Sequence, residues 1–291
     1  MHTPSQRAFD LVAAGRSYRT GFWLRRRPAL AEVTLGLEHG QFLGLVGANG
    51  SGKSTLLRLL AGIERPDRGR ASVFGEAAHR PAARARVGYL PEGSPWPPEL
   101  GLAAALELLL ALRGFGRAEA RRTAGEALER AGLGAERTRP LGRCSSGQRR
   151  RFGLAQAFAH GPDLVLLDEP TVGLDAPGLD VLAHWLCDVR ARGASAVVCS
   201  HRPADLFGTV DRLAQLQSGR LVAEGTSAAF AAAARHLELE LRTKEPLPEA
   251  ELRRRLGDVE LLGVRPAAPA LLDLGPGTSD AVDPSRGPSV P

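Results

Sequence analysis

Nearly every residue of QFLGLVG, 41–47, is apolar, which is the pattern of a strand buried on both faces. Short strand patterns precede it at AFDLV (8–12) and AEVTLGL (31–37). A Gly-rich turn follows, then the helical run KSTLLRLLA, which Gly62 can terminate. ASVFG (71–75) and VGYL (87–90) read as further strands, after which Pro91, Pro95, Pro97 and Pro98 interrupt any regular element. From about 99 to 160 the spacing is helical, in LGLAAALELLLALRG, RAEARRTAGEALERAGL and SSGQRRRFGLAQAFAHG. DLVLLDEP (163–170) is an apolar strand ending in two carboxylates. A helix over about 178–191 leads to the strand SAVVCSH (195–201). DRLAQLQSGRLVAEGT (211–226) predicts a hairpin turning at Ser218-Gly219. A helix near 227–236 and a strand LELELR (237–242) follow.

After Lys244 the pattern weakens: PEAELRRRLGDVELLGV allows a helix and a strand, and from Pro266 the Pro, Gly, Ala and Ser content predicts a disordered tail. Strands alternating with helices imply an α/β domain around a mainly parallel sheet, with a helical block inserted at about 95–160. The expected boundaries are one domain over 1–242 and a small extension over 243–291.

Composition changes this picture at several points. At 291 residues and 43% hydrophobic content the chain can bury one sizeable core. No apolar run approaches the roughly 20 residues of a membrane span; LAAALELLLAL (102–112) is too short and carries Glu107. MHTPSQRAFD at the N-terminus has no apolar core of a secretory signal. Cys144, Cys187 and Cys199 are scattered, without CxxC spacing or a disulfide framework, so a reducing, cytoplasmic location is expected. The net charge of +6 and pI near 10 would suit a nucleic-acid or membrane-surface binder, but the arginines are interleaved with Asp and Glu throughout. Dispersed charge makes no patch, and no direct nucleic-acid partner is expected. The same bias singles out Lys53: apart from Lys244, every other strongly basic side chain is arginine.

Lys53 lies in GANGSGKS, 47–54, which fits G-x-x-x-x-G-K-[ST] between a strand and a helix. Glycines there let backbone N–H groups curl around phosphate oxygens, and the helix N-terminus adds its positive end. Candidate nucleotide contacts are Gly47, Ala48, Asn49, Gly50, Ser51, Gly52, Lys53, Ser54 and Thr55. A lysine supplies a compact charge where a forked guanidinium is too wide. The Ser54 hydroxyl suits Mg²⁺. Downstream, Asp168 can hold the metal through water, and Glu169 can accept a proton from the attacking water.

CSSGQRRR, 144–151, sits about twenty residues before that strand. Here the chain resembles the ATPase subunits of ABC transporters, whose signature is usually written LSGGQ. Ser145, Ser146, Gly147 and Gln148 occupy its place, with Cys144 for the usual leucine and Ser146 for a usual glycine. A hydroxyl and free N–H groups at a helix start can bind phosphate. Tyr18 resembles the aromatic that stacks on adenine, with Phe22 and Trp23 as rivals. Glu92 stands where most members have the Q-loop glutamine, as is familiar in export-type ATPases, and can reach Mg²⁺. Asp175 in VGLDAP resembles the D-loop, and His201 the switch histidine that senses γ-phosphate. The resemblance covers about 8–242.

It implies a P-loop fold with an N-terminal antiparallel β subdomain and an inserted helical subdomain. ATP and Mg²⁺ are the implied ligands, with Glu169 and His201 in hydrolysis. It further implies a homodimer with ATP between Lys53 of one subunit and 145–148 of the other, on the cytoplasmic face of the membrane through a separate permease. An exporter is expected first. An importer ATPase would more often carry Gln at 92, and a soluble ABC protein of ribosomes or DNA would more often carry two cassettes, coiled coils or zinc-binding cysteines.

Overall fold

A computed structural model describes residues 7–20, 25–93, 96–201, 206 and 208–234. The expected strand at 237–242, the extension at 243–291 and the rivals Phe22 and Trp23 lie outside the described residues. The strands are β1 (Arg7–Thr20), β2 (Arg25–Glu38), β3 (Phe42–Val46), β4 (Arg68–Val73) and β5 (Glu76–Ala77). They continue with β6 (Val87–Leu90), β7 (Leu164–Asp168), β8 (Ser195–Ser200), β9 (Arg212–Gln217) and β10 (Arg220–Thr226). The helices are α1 (Lys53–Leu60), α2 (Pro81–Ala85), α3 (Leu102–Leu112), α4 (Arg117–Arg130), α5 (Ser146–Phe158), α6 (Ala176–Ala191) and α7 (Ser227–Ala234).

Two sheets form. An antiparallel sheet runs in the order β2-β1-β4-β5, and a second runs β10-β9-β3-β8-β7-β6. The second is parallel from β9 to β6, with β10 antiparallel at its edge. The fully buried strands β3, β8 and β7 sit at its centre, where both faces are covered. In β3, Phe42 and Val46 enter one core cluster while Leu43 and Leu45 enter the other. In β7, Val165 and Leu167 face the first cluster, and Leu164 and Leu166 face the second. The first cluster takes in the inserted helices: Leu106 from α3, Leu128 from α4 and Phe152 from α5. Each fully buried side chain of this size contributes roughly 1.5–3 kcal/mol.

β1 and β2 are longer than their apolar stretches implied. Their polar ends pair as a ribbon, with Tyr18 opposite Arg27 and Arg19 opposite Arg26, so cross-strand bonds extend the strands past the point where burial demands them. α2 and β5 were not anticipated; five and two residues are too short to show a period. The hairpin does turn at Ser218 and Gly219, both left-handed at φ 49° and 77°, a twist that matches the flanking strands.

Parallel pairing brings the working loops to one edge. Val46 pairs with Ser200, and Asp168 with Cys199, so β3, β7 and β8 end side by side. The Gly-rich turn, Glu169 and His201 leave from those three ends, where ligands bind in open α/β sheets.

Candidate active site

The turn after β3 is shaped by close backbone contact. Gly47 has φ 154°, and a Cβ there would stand 2.3 Å from the Leu216 carbonyl oxygen. The Ser51 amide donates to the Ala48 carbonyl at 3.1 Å, and the Gly219 amide donates to the Ser51 carbonyl at 2.9 Å. The β9–β10 hairpin thus braces the loop. Lys53, only 6% exposed, begins α1. Its Nζ donates to the Gly47 carbonyl at 2.7 Å and stands 3.6 Å from Glu169 Oε1. Burial strengthens that attraction well beyond a surface pair.

A cleft of about 430 Å³ opens here. Asn49, Gly50, Ser51, Gly52, Lys53, Ser54 and Thr55 line one side, and Glu92, Asp168 and Glu169 line the other. Burial pushes the Asp168 carboxyl above its ordinary range; the Ser54 hydroxyl and Lys53 pull it down, while Glu92 and Glu169 push it up. Glu169 is buried and left-handed at φ 48°, a conformation that costs a non-glycine residue about 1–2 kcal/mol. Its amide donates to the Cys199 carbonyl at 3.2 Å, and its Oε2 is 3.0 Å from His201 Nδ1. His201 is half exposed, so the pair spans the cleft wall and solvent.

The donor set fits a phosphate–cation ligand. Buried Asp168 Oδ1, Glu169 Oε1 and Ser51 Oγ have no hydrogen-bond partner among the described residues. Such buried polar atoms are costly unless a ligand satisfies them. Ser54, Asp168 and Glu92 could hold a hard cation, and the loop amides and Lys53 a phosphate chain.

The other expected residues lie apart from the cleft wall. Tyr18 does not line the cleft; its hydroxyl donates to the Glu64 carboxylate at 2.8 Å and stands 3.4 Å from Thr55 Oγ1. Arg16 and Arg58 hold the same carboxylate at 2.8 and 3.0 Å. Glu64 therefore fixes the tyrosine, a role that its place after a helix did not signal.

Ser145 caps α5 with a reciprocal box: its Oγ accepts from the Gln148 amide, and Gln148 Oε1 accepts from the Ser145 amide. Ser146 and Gly147 open the helix behind it. Asp175 caps α6 by accepting from the Gly178 amide at 3.1 Å, and faces Arg151 of α5 at 3.4 Å. Neither segment lines the cleft of its own chain.

Sequence reasoning missed Arg150, which is 7% exposed in α5. Its Nη2 donates to the Asp168 and Glu169 carbonyls at 2.7 and 2.6 Å. Its Nη1 donates to the Pro91 and Glu92 carbonyls at 2.7 and 3.1 Å. The available signal was an arginine within the buried stripe Gly147, Arg150, Leu154, Ala157. On an apolar helix face a guanidinium needs buried acceptors.

Residues 30–172 match the ABC transporter family. The cobalt import ATP-binding protein CbiO of Rhodobacter capsulatus is 37% identical over 210 residues, which are 69% of this chain and 74% of that protein. The chain belongs to the ABC transporter ATP-binding family. An export relative of this cassette, the Nod factor export ATP-binding protein I of Azorhizobium caulinodans, is 33% identical over 215 residues, 72% of this chain and 67% of that one. An uncharacterized ABC transporter ATP-binding protein of Synechocystis is 34% identical over 215 residues, and the match spans only 60% of its length. The fold is that of a solved dimeric ATP-binding cassette bound to ADP and Pi, with TM-score 0.69 and 24% identity over 75% of this chain and 98% of the other.

Proposed function

We propose that this chain is an ATP-hydrolysing subunit whose nucleotide cycle drives a separate membrane permease in the export direction. One observation carries the ATPase reading: Lys53, Asp168, Glu169 and His201 converge at the ends of three neighbouring parallel strands. In this reading the amides of 47–55 and Lys53 bind the β- and γ-phosphates, and Ser54, Asp168 and Glu92 hold Mg²⁺. The bound ion supplies charge neutralisation on the phosphate oxygens. Glu169 accepts a proton from the water that attacks the γ-phosphorus, and His201 holds Glu169 and the water in line. Tyr18 supplies the adenine platform.

Ser145, Ser146, Gly147 and Gln148 stand away from their own cleft, which suits a head-to-tail homodimer in which they cap the partner's γ-phosphate beside Asp175. ATP then favours the closed pair, and hydrolysis releases it. Among the described residues no helix is long and apolar enough to cross a membrane, so the pore would belong to another chain. The cassette spans 1–242 in this reading, with 243–291 as an extension.

Export rests on Glu92 in place of glutamine. Import is the second reading, favoured by the 37% identity to the cobalt import protein. Affinity capture of the full chain from detergent-solubilised membranes of its native cell tests the transport claim. A permease in fixed stoichiometry is expected, and its own sequence would separate export from import. Ribosomes or DNA without a membrane protein would overturn the transport reading while leaving the ATPase chemistry standing.

A further inference from the structure

We infer that Arg150 is a positioning residue for hydrolysis: its guanidinium clamps the Glu92 loop and the Glu169 loop to α5, and turnover depends on that clamp. The inference rests on the ATPase reading above, in which Glu169 takes the proton.

The clamp is divided by geometry. Nη1 serves only the loop after β6, through the Pro91 and Glu92 carbonyls, and Nη2 serves only the exit of β7, through Asp168 and Glu169. Nε lies 3.5 Å from the Pro170 carbonyl. A planar guanidinium holds its two Nη groups at fixed separation, so the two loops are set against each other by one rigid group. Among the described residues its hydrogen bonds all go to main-chain carbonyls, leaving the carboxylates of Glu92, Asp168 and Glu169 for the cleft.

Position decides what the clamp can do. Glu169 is held left-handed, and relaxation of its peptide would swing the carboxylate away from His201 and Lys53. Arg150 grips the carbonyls on both sides of the Glu169 amide, namely those of Asp168 and Glu169 itself. The Cys199 carbonyl holds the amide between them. The strained backbone is thus tied from β8 and from α5 together. α5 is also the helix that Ser145 and Gln148 cap at its start. Displacement of α5 would therefore loosen Glu92 and Glu169 at once. The charge itself has a use: the guanidinium is buried beside Glu92, Asp168 and Glu169. The positive group inside the cleft wall offsets carboxylates that would otherwise repel one another and a phosphate.

Arg150→Lys tests this. It keeps the charge and three donors, but a single ammonium cannot fork across both loops. We expect a folded protein that binds a non-hydrolysable ATP analogue within threefold of the wild type, with kcat for Mg-ATP down at least tenfold. Arg150→Gln is the second variant: its carboxamide can serve one loop only, and the same split is expected. A folded variant with kcat within twofold of wild type would overturn the inference. So would parallel loss of analogue affinity and kcat, or failure of both variants to fold, since each marks Arg150 as structural only. Failure of the underlying reading looks different: the wild type itself would show no Mg-dependent hydrolysis, or Glu169→Gln would turn over at the wild-type rate.

Discussion

His160, just past α5, shows how one neutral ring links packing to pH. Its Nε2 is 3.0 Å from Arg113 Nη1, and Arg113 Nη2 donates to the Val87 carbonyl at 3.2 Å. Burial first, and Arg113 second, push the His160 pKa down to about 4. The unfolded chain takes up a proton near the ordinary value of 6.5, whereas the folded chain does so only near 4. Stability from this residue is therefore present above about pH 6.5 and lost as pH falls toward 4, by up to about 1.4 kcal/mol per pH unit. Urea midpoints at pH 7, 5.5 and 4.5 should fall more steeply for the wild type than for His160→Gln. Equal slopes would contradict the assignment. Residues of this kind were not legible in the sequence. Lys53 was, because its motif is local and its chemistry is set by seven neighbours in a row. The contacts of Arg150 with Asp168, Glu64 with Tyr18 and His160 with Val87 span 18, 46 and 73 positions, and no local spacing records them.

Elements divide along the same line. Strands β3, β7 and β8 were legible because burial on both faces leaves their interiors apolar. The hairpin turn was legible because Ser-Gly accepts two left-handed residues. α2 and β5 were not, nor was the full length of β1 and β2, since main-chain pairing rather than apolar pattern sustains them. The seam between β6 and α5 carries a testable demand. A Cβ at Gly88 would stand 2.0 Å from the Ala157 carbonyl oxygen, and backbone of a central helix cannot yield cheaply. Gly88→Ala should lose about 1–3 kcal/mol or more in a denaturant titration. Since the seam seats α5 and its Arg150, ATP turnover should fall with it. Full stability in that variant would contradict the close approach of β6 and α5 at Gly88.

At the scale of the whole molecule, several of the arginines behind the net charge of +6 are paired with carboxylates. Arg16 meets Glu64 and Asp67, Arg86 meets Asp163, and Arg190 meets Asp211. Exposed pairs of this kind contribute little to stability. What organises the molecule instead is the edge where the parallel strands end. There the loop around Lys53 and the carboxylates of Asp168 and Glu169 share one cleft, with His201 against Glu169, while the 145–148 segment does not line it. The measurement that tests this most directly is steady-state Mg-dependent ATP hydrolysis by the wild type and Glu169→Gln, with the mass of each followed by light scattering. We expect the wild type to turn over and the variant to lose at least a hundredfold in kcat, keep nucleotide binding, and double its mass when ATP is added. Hydrolysis by Glu169→Gln at the wild-type rate, or no ATP-dependent change in mass, would contradict the account.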